Sequence, residues 1–157
     1  MLRLLVTSFA LVSSCVVFHT FGLVLLTHWL NRHRSTAASQ FRISRYTVLL
    51  TSVFAVIVLL HLAETLIWAA FFHMWFLFGD LETSWYFSLG TYTTIGYGDV
   101  VLPARWRMLG GLEGITGVLL CGLSTAFLFA VVSEMYHARD AQHRSSPAGR
   151  DVAKSNL

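Results

Sequence analysis

The chain has 157 residues, the length of a single domain. It is 55% hydrophobic and 12% charged, with a mean hydropathy of +0.64, where a soluble domain carries roughly 25% charged residues; this excludes an ordinary soluble globular protein. The net charge of +3 does not mark a nucleic-acid partner, because its cations gather at Arg32, Arg34, Arg42 and Arg45 and at Arg139, Arg144, Arg150 and Lys154, the pattern of cytoplasmic membrane flanks.

In chain order, residues 1–30 come first. Leu4 to Leu30 is apolar apart from small polar residues, His19 and His28. A membrane span needs about 20 residues, whereas the apolar core of a signal peptide has about 7–15. A retained N-terminal transmembrane helix is therefore expected over a cleaved signal, although Arg3 suits either. Residues 31–45 form a polar, basic linker. Residues 46–78 are a second apolar run, longer than the membrane core is thick, with an aromatic belt from Phe71 to Phe76 at its far end.

Gly79-Asp80 breaks that run. Residues 82–93 follow as a helix too short to span, with capping chemistry in Glu82, Thr83 and Ser84. Residues 94–98 are Gly-rich and not regular helix. Pro103 precedes a last apolar helix at 104–136, and the polar tail 137–157 is expected to be disordered. The positive-inside rule sets the linker and tail in the cytoplasm, with the N-terminus and the 79–105 loop outside, in the plasma membrane. Cys15 and Cys121 both lie in apolar segments and suggest neither a disulfide nor a metal site.

Irregular backbone between two spans is tolerated only where protein buries it or it lines a watery path. Gly96 and Gly98, spaced by one, permit positive φ, which lets successive carbonyls face one axis. Rings of carbonyls replace the water shell of a cation, and the C-terminal end of a short helix favours positive charge.

The string Thr93-Thr94-Ile95-Gly96-Tyr97-Gly98-Asp99 resembles the selectivity filter of potassium channels, with Ile where Val is commoner. Together with its flanking runs, residues 46–136 resemble the prokaryotic two-helix pore domain of the "ion channel 2" group, and the first helix lies outside the resemblance. The resemblance implies an all-α membrane protein: outer helix 46–78, re-entrant pore helix 82–93, filter 94–98 and inner helix 104–136, in a homotetramer. It implies potassium ions held by the carbonyls of Thr94, Ile95, Gly96 and Tyr97 with the Thr94 hydroxyl, and Gly98 at the outer mouth. It implies passive potassium permeation, no enzymatic chemistry and no cofactor beyond the permeant ion. The partners are three more copies and membrane lipids.

Around the filter, Thr93, Trp85, Tyr86 and Phe87 are candidates for support, the three aromatics as a cuff for Tyr97. Asp99 is expected either to hydrogen-bond one of these aromatics or to act as a solvated mouth carboxylate. Gly90 occupies the position where some family members carry a bracing carboxylate. Glu113, an ionisable residue inside a span, is expected to face the pore helix and to bond Thr91, Tyr92 or Thr93. His61 and Glu64 are neighbours on one helix face, either a buried pair or a proton sensor. Gly117, with Gly114 and Gly122 as competitors, is a candidate gating hinge or a helix-packing position. Phe127, Leu128 and Phe129 are candidates for a hydrophobic inner gate.

No span carries regularly spaced arginines, so no voltage sensor is expected. Two rivals remain: a non-conducting channel subunit, and an intramembrane enzyme holding a metal at His61, Glu64 and Glu113. The second lacks any His-Glu-x-x-His spacing.

Overall fold

The structure is a computed structural model that describes residues 2–37 and 43–145, with side chains described within 4–32 and 46–137. Among the described residues the chain is all-helical: α1 (Leu2–Ala37), α2 (Ile43–Met74), α3 (Leu81–Tyr92), a 3-10 turn at Ala104–Trp106, and α4 (Arg107–Ser145). Three segments are long and apolar enough to cross a membrane: Leu4–Arg32, Tyr46–Met74 and Ala104–His137. Only 22%, 11% and 28% of these windows is buried within the chain, so most of their apolar surface is matched to lipid or to another chain.

Both ends of the expected 31–45 linker are helical, since α1 runs on to Ala37 and α2 begins at Ile43. Helical hydrogen bonds are internal, so a helix leaving the membrane has no reason to stop at the interface. The remaining linker residues, including Arg42, lie outside the described residues, as do the side chains of Arg34 and Arg45. The expected disordered tail is likewise helical as far as Ser145, through a stretch rich in Ala, Arg and Gln, which have high helix propensity. Residues 146–157, with Arg150 and Lys154, lie outside the described residues.

α2 ends at Met74, four residues before the expected boundary. Phe76 takes φ 53°, Phe76 N–H donates to His73 O and Leu77 N–H donates to Phe72 O, at 3.0 Å each. This is the double hydrogen-bond closure of a Schellman motif, with Leu77 and Phe72 both in the core as its apolar contact. The left-handed position is filled by Phe rather than Gly, which is why the apolar run conceals it. α3 begins one residue early because Asp80 is its N-cap. The carboxylate accepts from Thr83 N at 2.7 Å and from Thr83 Oγ1 at 2.9 Å. These bonds, the backbone one foremost, hold the Asp80 carboxyl below its ordinary range. The last helix opens with the 3-10 turn after Pro103, closed by Trp106 N–H to Pro103 O at 2.7 Å.

The chain divides into two compact units, Met1–Ser124 and Thr125–Leu157. In the first, α2 packs on both α1 and α3. Its core joins Cys15 of α1, Trp68 and Phe72 of α2, Tyr92 of α3, and Leu102, Leu109 and Leu120. Lipid is as apolar as these side chains, so close approach and polar contacts hold the helices together more than hydrophobic burial does. Two glycines mark the close approaches. A Cβ at Gly22 would meet Leu60 Cδ2 at 2.5 Å, and a Cβ at Gly117 would overlap the Tyr92 carbonyl oxygen. In the second unit, Phe129 and Tyr136 are exposed.

Gly117→Ala pushes backbone against backbone and is expected to destabilise the purified protein by about 1–3 kcal/mol. Gly122→Ala, with nothing within 4 Å of the added methyl, is expected to be neutral or slightly stabilising. Thermal melts of the two variants in detergent check the contrast.

Candidate functional site

The segment after α3 is built by backbone. Thr93 is the C-cap of α3, with its N–H on Leu89 O. Thr94 N–H donates to Thr91 O at 2.9 Å, and Gly96 N–H reaches back to Gly90 O at 3.0 Å. Positive φ then alternates along the chain: Thr94 at 61°, Gly96 at 56° and Gly98 at 78°, with Ile95 and Tyr97 between them outside the left-handed region. Positive φ at every second residue lets successive carbonyls face one axis. The glycines were legible as such positions; Thr94 was not, because a β-branched residue rarely goes there. Its conformation costs about 1–3 kcal/mol, which the bonds from Thr94 and Gly96 to α3 help to offset. Residues 93–99 are all exposed in the single chain, Ile95 by 57% and Tyr97 by 66%.

The aromatic residues of α3 separate. Tyr86 stacks on Tyr97, ring centres 6.0 Å apart and planes within 10°, and its hydroxyl donates to Asp99 Oδ2 at 2.8 Å. Asp99 thus makes the expected bond to an aromatic residue while remaining exposed, as a solvated mouth carboxylate would be. Trp85 turns instead to α2, donating Nε1–H to Thr65 Oγ1 at 3.0 Å. Phe87 packs edge-on against Phe72 and tilted against Phe78. Consecutive helical residues point about 100° apart, so within one chain only Tyr86 of the expected cuff touches Tyr97. Gly90 lies behind Tyr97, where a Cβ would sit 3.5 Å from Tyr97 Cδ2. That is an ordinary van der Waals contact, and the glycine has no side chain with which to brace the ring.

Glu113 is fully buried and faces α3, but it bonds none of Thr91, Tyr92 or Thr93. Ser88 lies beside it, yet among the described residues neither Glu113 oxygen nor the Ser88 hydroxyl makes a hydrogen bond of normal geometry. One turn along, Gly114 and Gly117 pass the end of α3. A Cβ at Gly114 would sit 3.3 Å from Thr91 O. These two are packing positions and Gly122 stands in open space, while α4 is continuous through all three.

The pairing of His61 and Glu64 is present, with His61 Nδ1 3.2 Å from Glu64 Oε2, and it belongs to a larger cluster. His19 of α1 places Nδ1 2.7 Å from Glu64 Oε1. The Tyr92 hydroxyl donates to Glu64 Oε2 and lies 2.9 Å from His61 Nδ1. Ser124 Oγ of α4 is 3.0 Å from Nε2 of both histidines. Sequence reasoning missed His19, Tyr92 and Ser124. For His19 a signal existed, since it too is an ionisable residue inside a span.

Asp99 carries a pH consequence. The Tyr86 hydroxyl, and secondarily the Val100 N–H, hold its carboxyl below the ordinary value of 3.8, and the same bond raises the Tyr86 hydroxyl. A carboxyl depressed in the folded state contributes stability that is fully present above the unfolded pKa and is lost as pH falls through the folded one. The advantage of wild type over Tyr86→Phe in thermal melts should therefore be constant from pH 5 to 7 and shrink below about pH 4. An advantage unchanged at pH 3 would refute the link.

A protein-family model described as an ion channel matches residues 46–134, which takes in α2, α3, the alternating segment and most of α4. No curated protein and no solved structure matches the chain. The family points to a channel rather than an enzyme, and three apolar helices point to a multi-pass membrane protein. By a match over more than half its length, the chain belongs to the ion channel family.

Proposed function

We propose that this protein is a potassium-selective channel in which four copies surround one pore. The observation that carries the proposal is the alternation of positive φ at Thr94, Gly96 and Gly98 within Thr-Ile-Gly-Tyr-Gly. Such alternation suits a loop whose carbonyls at Thr94, Ile95, Gly96 and Tyr97 face one side, so that four chains together form stacked oxygen rings. The Thr94 hydroxyl completes the inner ring and Gly98 forms the mouth. Each ring exchanges protein oxygens for the water shell of a dehydrated potassium ion. Tyr97, held by Tyr86, keeps the rings from collapsing onto a smaller ion.

The tetramer is supported by exposure. Residues 93–99 are irregular and uncovered in one chain, which at membrane depth is tolerated only against protein or a watery path. Beside them, Ile115, Val118 and Leu119 of α4 are exposed and line an open groove with Thr94 and Gly96. The exposed, apolar face of that groove suits a neighbouring subunit. Glu113, buried against α3 beside Ser88 and without a hydrogen-bond partner of normal geometry among the described residues, then bears on the helix from which the filter springs. The arginines of the linker and the tail support a cytoplasmic C-terminus, an outer filter mouth and an outer N-terminus, in the plasma membrane. The His19 contact to Glu64 supports retention of α1, since its removal would leave a buried carboxylate short of a donor.

The test is ion flux in proteoliposomes with opposed potassium and sodium gradients. Wild type should dissipate the potassium gradient, be blocked by barium and leave the sodium gradient standing. Gly96→Ala, which forces a Cβ into the left-handed region, should reduce flux to that of empty liposomes. Equal sodium and potassium flux, or none from wild type, would refute the proposal.

A further inference from the structure

The cluster around Glu64 has the donor set and geometry of a metal site. Two histidines with a glutamate are borderline ligands of the kind that hold zinc and its neighbours. His61 and Glu64 alone are too few, but His19 arrives from α1, and the ligand atoms of all three lie within 4.8 Å of one another. In a tetrahedron with bonds of about 2 Å, ligands stand about 3.3 Å apart, so small side-chain adjustments suffice. The Tyr92 hydroxyl, 2.9 Å from His61 Nδ1 and bonded to Glu64, supplies the fourth atom. We propose that His19 Nδ1, His61 Nδ1, a Glu64 carboxylate oxygen and the Tyr92 oxygen bind one divalent transition metal of the zinc class per chain.

The hydrogen positions favour this. Without an ion, an ionised Glu64 only accepts. His19 Nδ1 then has to donate to Oε1, and Tyr92 donates to Oε2. His61 Nδ1, facing that oxygen and the Tyr92 oxygen, has to donate as well. Two neutral rings would leave both Nε2 atoms bare against Ser124, which has a single O–H to offer. One surplus proton on a ring is needed to complete the network. With an ion on both Nδ1 atoms, each Nε2 carries its N–H, and the two lone pairs of Ser124 Oγ accept both at 3.0 Å. Anchoring of the second imidazole N–H in this way is what metal-binding histidines do.

Charge also balances. A divalent ion with the Glu64 carboxylate and a Tyr92 phenolate sums to zero, as burial in an apolar surrounding demands. Passing from the protonated network to the ion-bound one releases two protons, the surplus imidazole proton and that of Tyr92. Besides the ligands, the titratable groups facing the cluster are Cys15 of α1 and Cys121 of α4. The ion would fasten α1 to α2 and to the last residue of α3, one position before Thr93. A consequence for conduction rests on the potassium proposal; the binding itself does not.

The experiment uses the purified full chain, stripped with chelator and reloaded with zinc or cobalt(II). Wild type should retain one ion per chain, show the visible bands of four-coordinate cobalt, release two protons per ion and melt at a higher temperature with zinc than without. His19→Gln and Glu64→Gln should retain none, while Ser124→Ala should retain the ion with affinity about 10–100-fold weaker. Wild type that binds no more zinc than His19→Gln, with no zinc-dependent shift of its melt, would overturn the proposal and leave the cluster as a proton-holding network. Metal content and melting are read without flux, so failure here is distinct from failure of the potassium proposal.

Discussion

A buried carboxylate is the constraint on which the arrangement of helices depends. Glu64 is fully buried in the middle of α2 and takes donors from α1 through His19, from its own helix through His61, and from α3 through Tyr92. A carboxylate without donors in apolar surroundings costs several kcal/mol. Apolar helices in lipid slide and rotate against one another at little cost, because one apolar face is as good as the next. Glu64 removes that freedom. Only one rotation of α1 brings His19 to it, and only one placement of α3 brings Tyr92.

Tyr92 carries this constraint towards the filter segment. Its hydroxyl is held by Glu64, while its carbonyl oxygen lies so close to Gly117 that no side chain fits there. The end of α3 is thus clamped between α2 and α4. Immediately beyond it, Thr94 and Gly96 fold back onto Thr91 O and Gly90 O. The left-handed conformation of Thr94 persists because what precedes it is fixed. Asp99 and Tyr97, both in contact with Tyr86, tie down the other end of the segment.

Much of this was legible in the sequence, and the failures have physical causes. The apolar runs gave three spans, because in lipid a helix is the only way for a lone segment to satisfy its backbone. Helix ends were poorly legible. The stop of α2 is a left-handed Phe76 inside an aromatic run, and the continuation of α4 past His137 follows from ordinary helix formers that read equally well as tail. The short helix lies within a residue of its expected start, yet its cap is Asp80 rather than Glu82, Thr83 or Ser84. His61 and Glu64 were visible as neighbours, since three residues is nearly one turn. His19 was not, because its contact lies across 45 residues and depends on how α1 is rotated. Within one chain only part of the expected aromatic cuff forms, for a related reason: Trp85, Tyr86 and Phe87 are adjacent in sequence and therefore diverge in space.

The two buried glutamates make a contrast that bears on assembly. Glu64 has all its donors within the chain, drawn from three helices. Glu113, equally buried, makes no hydrogen bond of normal geometry among the described residues, and neither does the Ser88 hydroxyl beside it. The same low dielectric acts on both, so the difference lies in what surrounds them. Glu64 sits where α1, α2, α3 and α4 converge, so the fold of one chain completes its environment. Glu113 sits where α4 passes α3, close to the exposed groove lined by Thr94, Gly96 and Ile115. A buried carboxyl left bare by its own chain is satisfied either by keeping its proton or by a group from outside the chain. Within a tetramer of the kind proposed, both routes serve one end. The polar chemistry inside the chain sets the clamp on Tyr92, and the polar chemistry left unfinished lies next to the surface where the next copy would pack.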